Sequence, residues 1–133
     1  MTEQTLIVLK PDSVKRNLVG EILRRFEQNG FTIKKLKMLT MSKEEAHTFY
    51  AVHKEKPFFN ELVSFITSGP IVAAVIEGSD AVNQVRKIIG VTKPGEAAPG
   101  TVRKDFGTSI TQNAIHASDS HESFIKESTV IFG

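Results

Sequence analysis

Apolar residues fall along the chain as short continuous runs alternating with helical stripes. Thr5-Leu6-Ile7-Val8-Leu9 is one such run, bounded by Lys10-Pro11-Asp12. It predicts a central strand buried on both faces, with Pro11 stopping it. Val19, Ile22, Leu23 and Phe26 recur at i, i+3, i+4 and i+7, which predicts a helix with one buried face that Gly30 is placed to end. From 31 to 41 the alternation slips phase, predicting a long strand with a bulge near Lys34-Lys35. Ser42 with Glu45 three residues on has the pattern of a capping box and opens a short helix.

A second helical pattern covers 58–68 with two adjacent stripes, Phe58, Leu62 and Phe65 beside Phe59, Val63 and Ile66. Together they are wider than one core contact needs, so part of this face is expected to line a pocket. Gly69-Pro70 breaks the helix, and 71–76 reads as another buried strand. Ser79-Asp80 is expected to cap a helix carrying Val82, Val85, Ile88 and Ile89, ended by Gly90. Residues 91–112 show little period and hold Pro94, Gly95, Pro99, Gly100 and Gly107; a loop this long in a compact domain is usually functional or disordered. Asn113-Ala114-Ile115 is a short strand candidate. Asp119, with Glu122 three on, is expected to cap a last helix to about Glu127 before Val130-Ile131-Phe132 closes the chain. Without the small helices the order is β-α-β-β-α-β. This predicts an α/β (α+β) ferredoxin-like sandwich: a four-stranded antiparallel sheet with helices packed on it, a long active-site loop, and a single domain over 1–133. That fold hosts enzymes, RNA binders and sensors alike.

Composition narrows the field. Seventeen Lys and Arg against 15 Asp and Glu leave a formal charge of +2, too small an excess to imply nucleic-acid binding. The absence of Cys excludes disulfides and thiolate metal sites. No apolar run approaches the roughly 18 residues of a membrane span, and the start of the chain lacks the basic and apolar segments of a signal peptide. A soluble cytoplasmic protein is expected.

Polar groups concentrate around the long loop: Arg86 before it, Thr92 and Arg103 within it, Asn113 at its end, then His116, Ser118 and Glu127. Two Arg and a Thr hydroxyl beside a loop suit phosphate oxygens, and an imidazole next to them could take a phosphoryl group. Lys10 ends a buried strand beside Pro11, where α/β proteins often bind ligands. His47, His53 and His121 lie in charged, helical surroundings and read as surface residues. His47 and His53, at i and i+6, share no helix face, so a metal pair is not expected. No Gly-x-x-x-x-Gly-Lys-Ser/Thr occurs, which excludes a P-loop.

The segment Asn113-Ala114-Ile115-His116-Ala117-Ser118-Asp119-Ser120 resembles the active-site signature of the nucleoside diphosphate kinase family. The resemblance extends over nearly the whole chain, through residues 5–12, Phe49-Tyr50-Ala51-Val52-His53 with Pro57-Phe58-Phe59, Ser68-Gly69-Pro70, and Pro99-Gly100-Thr101-Val102-Arg103. It implies transfer of the γ-phosphoryl of a nucleoside triphosphate to a nucleoside diphosphate, by a ping-pong route through a phosphohistidine, with broad base and sugar specificity. His116 would be the nucleophile, Glu127 would fix its tautomer, and Ser118 would steady Glu127. Lys10, Tyr50, Arg86, Thr92, Arg103 and Asn113 would hold ribose and phosphates, while Phe58 and Leu62 would stack on the base. The resemblance further implies Mg²⁺ carried mainly by the nucleotide phosphates, no dedicated protein metal site, and a homo-oligomer, tetramer or hexamer. Neither a membrane nor a specific nucleic acid is expected as a partner.

Three positions depart from the family pattern. Ala117 stands where Gly is usual, and would strain the backbone beside the nucleophile if φ were positive there. Lys93 and Lys104 add positive charge expected near the phosphates. The competing readings are a catalytically inactive relative and a ferredoxin-like binding module; an RNA-recognition module would want exposed aromatics on central strands, which here are aliphatic.

Overall fold

The computed structural model describes residues 2–91, 94–108 and 114–133. Four strands, β1 (Thr2–Leu9), β2 (Thr32–Leu39), β3 (Ile71–Ser79) and β4 (Ile115–Ala117), make one sheet in the order β2-β3-β1-β4. Every neighbouring pair is antiparallel. The slip in alternation along β2 is a register shift between Ile33 and Lys35, where the sequence places it. The helices among the described residues are α1 (Pro11–Lys15), α2 (Val19–Gln28), α3 (Lys43–Phe49), α4 (Phe59–Ile66), α5 (Ala81–Ile89), α6 (Val102–Phe106) and α7 (His121–Phe132).

The continuous apolar runs of β1 and β3 are explained by helices on both faces of the sheet. On one face Ile7, Leu9, Val72, Ala74 and Ile76 pack with Ile22 and Phe26 of α2 and Val85 and Ile89 of α5. On the other, Leu6, Val8, Ala73 and Val75 pack with Phe49 of α3, Leu62, Val63 and Ile66 of α4, and Ile131 of α7. The wide apolar stripe of 58–68 is thus divided: Val63 and Ile66 enter the core, while Phe58, just before α4, stays 39% exposed.

Several helix starts differ from expectation. Pro11 ends β1 and also opens α1 at its first turn, a position where proline's missing N–H costs nothing. Ser42 and Glu45 do form the capping box of α3. Asp80, by contrast, does not cap α5 with its side chain. It adopts a left-handed conformation with φ +49, and the Val82 N–H is taken instead by Glu3 Oε1 at 2.8 Å, from the far end of the chain. Ser120, not Asp119, caps α7 by accepting the Ser123 N–H at 3.0 Å, and the helix runs on through Phe132. Within 91–112, part of the expected loop is ordered as a 3₁₀ turn at Pro94–Glu96 and as α6, which Thr101 caps. β4 runs from Ile115 to Ala117, so Ala114 precedes the strand, and Asn113 lies outside the described residues.

Gly78 on β3 lies against the Phe31 ring. A Cβ there would sit 2.5 and 2.6 Å from two carbons of that ring, which is itself buried in the α2/α5-side core. Gly78→Ala is expected to cost about 1–3 kcal/mol by overpacking, read as a lower urea midpoint at unchanged m-value.

Candidate active site

Strand alternation decides which way the key histidine faces. In β4, Ile115 and Ala117 belong to the α2/α5 core, so His116 between them points to the opposite face. Its cross-strand partner is Val8, which lies in that opposite core. Leu6, Val8 and then Lys10 share the parity, and Lys10 keeps an extended backbone (φ −73, ψ 166). Lys10 and His116 therefore emerge side by side under α3 and α7.

The chain closes around them a cleft of about 210 Å³. Of the expected site residues, Lys10, Tyr50, Phe58, Leu62, Arg86, Arg103, His116 and Glu127 all line it. Ser118 is buried behind it and reaches it through Glu127. Thr92 and Asn113 lie outside the described residues. Val52, His53, Ala117, Asp119 and Ser123 complete the lining.

At the centre, His116 Nε2 lies 2.8 Å from Glu127 Oε1, and Ser118 Oγ donates to the same oxygen at 2.7 Å. An ionised carboxylate can only accept, so the proton of a neutral His116 belongs on Nε2 and the lone pair on Nδ1. The rings of Phe49 and Tyr50 meet the imidazole edge-on, with centroids 5.0 and 6.3 Å away. Contacts on several sides thus hold the ring.

Three cations share the cleft. Arg103 is buried and donates from Nη1 to Gly90 O at 3.1 Å and from Nη2 to Ile115 O at 2.8 Å. Gly90 makes this possible: its φ is +88, and a Cβ there would meet Thr101 Oγ1 at 2.7 Å. Arg86 donates more weakly to Ala117 O at 3.4 Å. Burial, reinforced by Arg86, brings the Arg103 guanidinium down from its usual value to about 10. Burial and the charge of Arg103 bring Lys10 from 10.5 to about 8, against the pull of Asp12. Burial and the nearby Glu127 push the Tyr50 hydroxyl well above its usual 10.0. A concave site that concentrates buried positive charge beside an oriented imidazole suits a polyanion.

Comparison with known proteins gives the same direction. Residues 3–133 match the family model described as nucleoside diphosphate kinase. The chain belongs to the nucleoside diphosphate kinase family. It is 53% identical over 131 residues to a nucleoside diphosphate kinase of Staphylothermus marinus, covering 98% of this chain and 93% of that one. The solved nucleoside diphosphate kinase of Aquifex aeolicus superposes with a TM-score of 0.97 at 53% identity, covering 100% of this chain and 96% of that one. That of Halobacterium salinarum, solved in complex with CDP, gives 0.95 at 44% identity, covering 99% and 88%. Family membership makes the chain a phosphotransferase of nucleotide phosphates, and neither competing reading is favoured.

Two departures from the family pattern resolve. Ala117 is not among the residues with positive φ and sits in the regular β4 ladder opposite Ile7, so its Cβ adds no backbone strain beside His116. Lys104 is exposed on α6 and does not line the cleft; Lys93 lies outside the described residues. One reading is corrected. His53 is not a plain surface residue: it lines the cleft between Tyr50 and Phe58, with ring centroids at 6.2 and 5.9 Å, and burial lowers its pKa. Its helical, charged neighbours in the sequence conceal this, because the 3₁₀ turn Ala51–His53 swings it back over the site. Asp119 also faces the cleft, its carboxyl held below the usual range chiefly by the Ser123 hydroxyl, which donates to it at 2.7 Å.

The depressed Lys10 value has a signed consequence. In the free protein its charge is present below pH 8 and is lost as pH rises through about 8. Because the folded value lies below the unfolded one, this group makes the free protein more stable as pH climbs from about 8 toward 10.5. Anion affinity moves the other way. ADP binding is expected to weaken above pH 8 and to take up a proton there, measurable by calorimetry in buffers of different ionisation enthalpy; pH-independent affinity from 7 to 9.5 would contradict this.

Proposed function

We propose that this chain, as one domain over 1–133, carries a phosphoryl group on His116 between a nucleoside triphosphate and a nucleoside diphosphate. The hydrogen-bonded line Ser118–Glu127–His116, which leaves Nδ1 free at the cleft, is the observation that carries the reading. In the first half-reaction the Nδ1 lone pair attacks the γ-phosphorus. The bond from phosphorus to the bridging oxygen breaks, and the diphosphate leaves with those electrons. In the second, a terminal oxygen of another diphosphate attacks, the P–N bond breaks, and the imidazole returns unchanged. Glu127 accepts the Nε2–H throughout and balances the charge that the ring gains on phosphorylation. Lys10, Arg86 and Arg103 face the charge spread over the transferring oxygens. Tyr50 belongs to the same group, and Thr92 and Asn113 are proposed to complete it.

Phe58 and Leu62 offer the base an apolar contact on one side. Apolar contact alone separates related ligands by only about 1–3 kcal/mol, which supports broad specificity. Mg²⁺ enters as part of the substrate, on the nucleotide phosphates. The cleft's donors are mainly cationic and suit the phosphates; among the described residues no three His, Cys, Asp or Glu are grouped to hold a metal. No described helix is long and apolar enough to cross a membrane, and the proposed place of action is the cytoplasm.

Incubation with γ-labelled ATP should give an acid-labile, alkali-stable protein phosphate that His116→Ala abolishes. Retained labelling would remove His116 from its role. Glu127→Ala should keep nucleotide binding and lower kcat by about 10²-fold, the scale of a misplaced catalytic group. We also propose a homo-oligomer, tetramer or hexamer. Leu36 and Met38, 55% and 60% exposed on the edge strand β2, are the apolar surface that supports it. Light scattering of the wild type should give a mass several times 14.7 kDa, and Leu36→Lys with Met38→Lys should reduce it.

A further inference from the structure

We propose that Asp12 and Ser13 are positioning residues for the phosphoryl-accepting imidazole, acting through a two-sided grip on the backbone of Ala114; this rests on His116 being the nucleophile. The Ala114 N–H donates to Asp12 Oδ2 at 3.1 Å. The Ala114 carbonyl accepts from Ser13 Oγ at 2.7 Å and from the Lys10 N–H at 3.0 Å. Both peptide groups of one residue are thus held by a turn about a hundred residues earlier in the chain, and both side-chain bonds are buried.

Ala114 needs holding. Its φ is +75, in the left-handed region that a Cβ disfavours, and it is fully buried. It stands two residues before His116, at the start of a strand only three residues long. The β1–β4 ladder covers Leu9↔Ile115, Val8↔His116 and Ile7↔Ala117. A one-residue slip of this ladder would turn His116 to the opposite face of the sheet. The Lys10-to-Ala114 bond continues it past the end of β1, and the side chains of Asp12 and Ser13 lock that end.

The grip is costly, which argues that it has a use. Asp12 is buried, its Oδ1 has no hydrogen-bond partner among the described residues, and burial raises its carboxyl above the usual 3.8. Asp12 and Ser13 do not line the nucleotide cleft; Asp12 borders a separate groove with Lys15 and Phe65. Neither therefore acts by touching substrate: Ser13 reaches His116 through Ala114, and Asp12 does so while its charge also bears on Lys10.

The test is single-turnover formation of phosphohistidine from ATP, run beside ADP affinity and urea stability, for wild type, Asp12→Ala, Asp12→Asn and Ser13→Ala. The grip predicts that Asp12→Ala slows labelling at least tenfold with ADP affinity changed less than twofold, and that Ser13→Ala slows it in the same sense. Asp12→Asn, whose amide oxygen can still accept the Ala114 N–H, should recover most of the rate. If Asp12→Ala does not fold, Ser13→Ala, which removes the other side of the grip, is measured in its place with the same slowing expected, and a folded Ser13→Ala that labels at the wild-type rate then overturns the proposal. A folded Asp12→Ala that loses stability but labels at the wild-type rate overturns the proposal. So does an Asp12→Asn as slow as Asp12→Ala, which would assign the effect to charge. Failure of the wild type to label at His116 would instead overturn the nucleophile reading, so the two failures are distinguishable.

Discussion

One carboxylate oxygen organises the site. Glu127 Oε1 receives both the Ser118 hydroxyl and the Nε2 edge of His116, within 2.8 Å of each. Because that oxygen can only accept, it fixes the tautomer as well as the direction of the ring. Glu127 comes from α7, whereas His116 and Ser118 come from β4 and the residue after it. The tautomer of His116 thus depends on the docking of the last helix, through Ile131 and its half-buried neighbours Phe124 and Val130, against the α3/α4 core.

The rest of the geometry follows from a sheet covered on both sides. With α2 and α5 on one face and α3, α4 and α7 on the other, β1 and β3 have no wet face on which to place polar groups. Functional side chains can emerge only where a strand ends or an edge is reached. Lys10 does the first and His116 on edge strand β4 does the second. Helix α6 then brings Arg103 to the cleft, and carbonyls from Gly90 and Ile115 fix its angle.

Much of this was legible in the sequence where periodicity and local chemistry act alone. The buried runs of β1 and β3, the bulge in β2, the Ser42 capping box and the wide stripe around Phe58 and Leu62 are local properties and were read as such. The departures arise where several partners or backbone turns compete and a local pattern does not rank them. Asp80 does not cap because Glu3 reaches the helix start first. Asp119 yields its cap to Ser120 and accepts the Ser123 hydroxyl instead. His53 looks solvated until a 3₁₀ turn folds it over the cleft. The bond that Asp12 accepts is invisible locally, since its partner Ala114 lies 102 residues away. Of the eight expected site residues that line the cleft, Lys10 stands out at the end of a buried run, Arg86, Arg103, His116 and Glu127 as a polar cluster around the long loop, and Phe58 and Leu62 within a stripe too wide for the core; Tyr50 comes in through the family resemblance alone.

Arg103 carries a final implication. Its terminal nitrogens are committed to two main-chain carbonyls and its Nε is buried with no hydrogen-bond partner among the described residues, so the group is aimed before any ligand arrives. Pre-aiming removes reorganisation from the encounter but leaves the empty protein holding mutually repelling cations in a poorly solvated recess. An arriving polyanion relieves that tension. Occupancy and fold are consequently coupled, and the resting enzyme is the more fragile form: starved of nucleotide, the molecule would open more readily to heat or proteases than the same molecule at work.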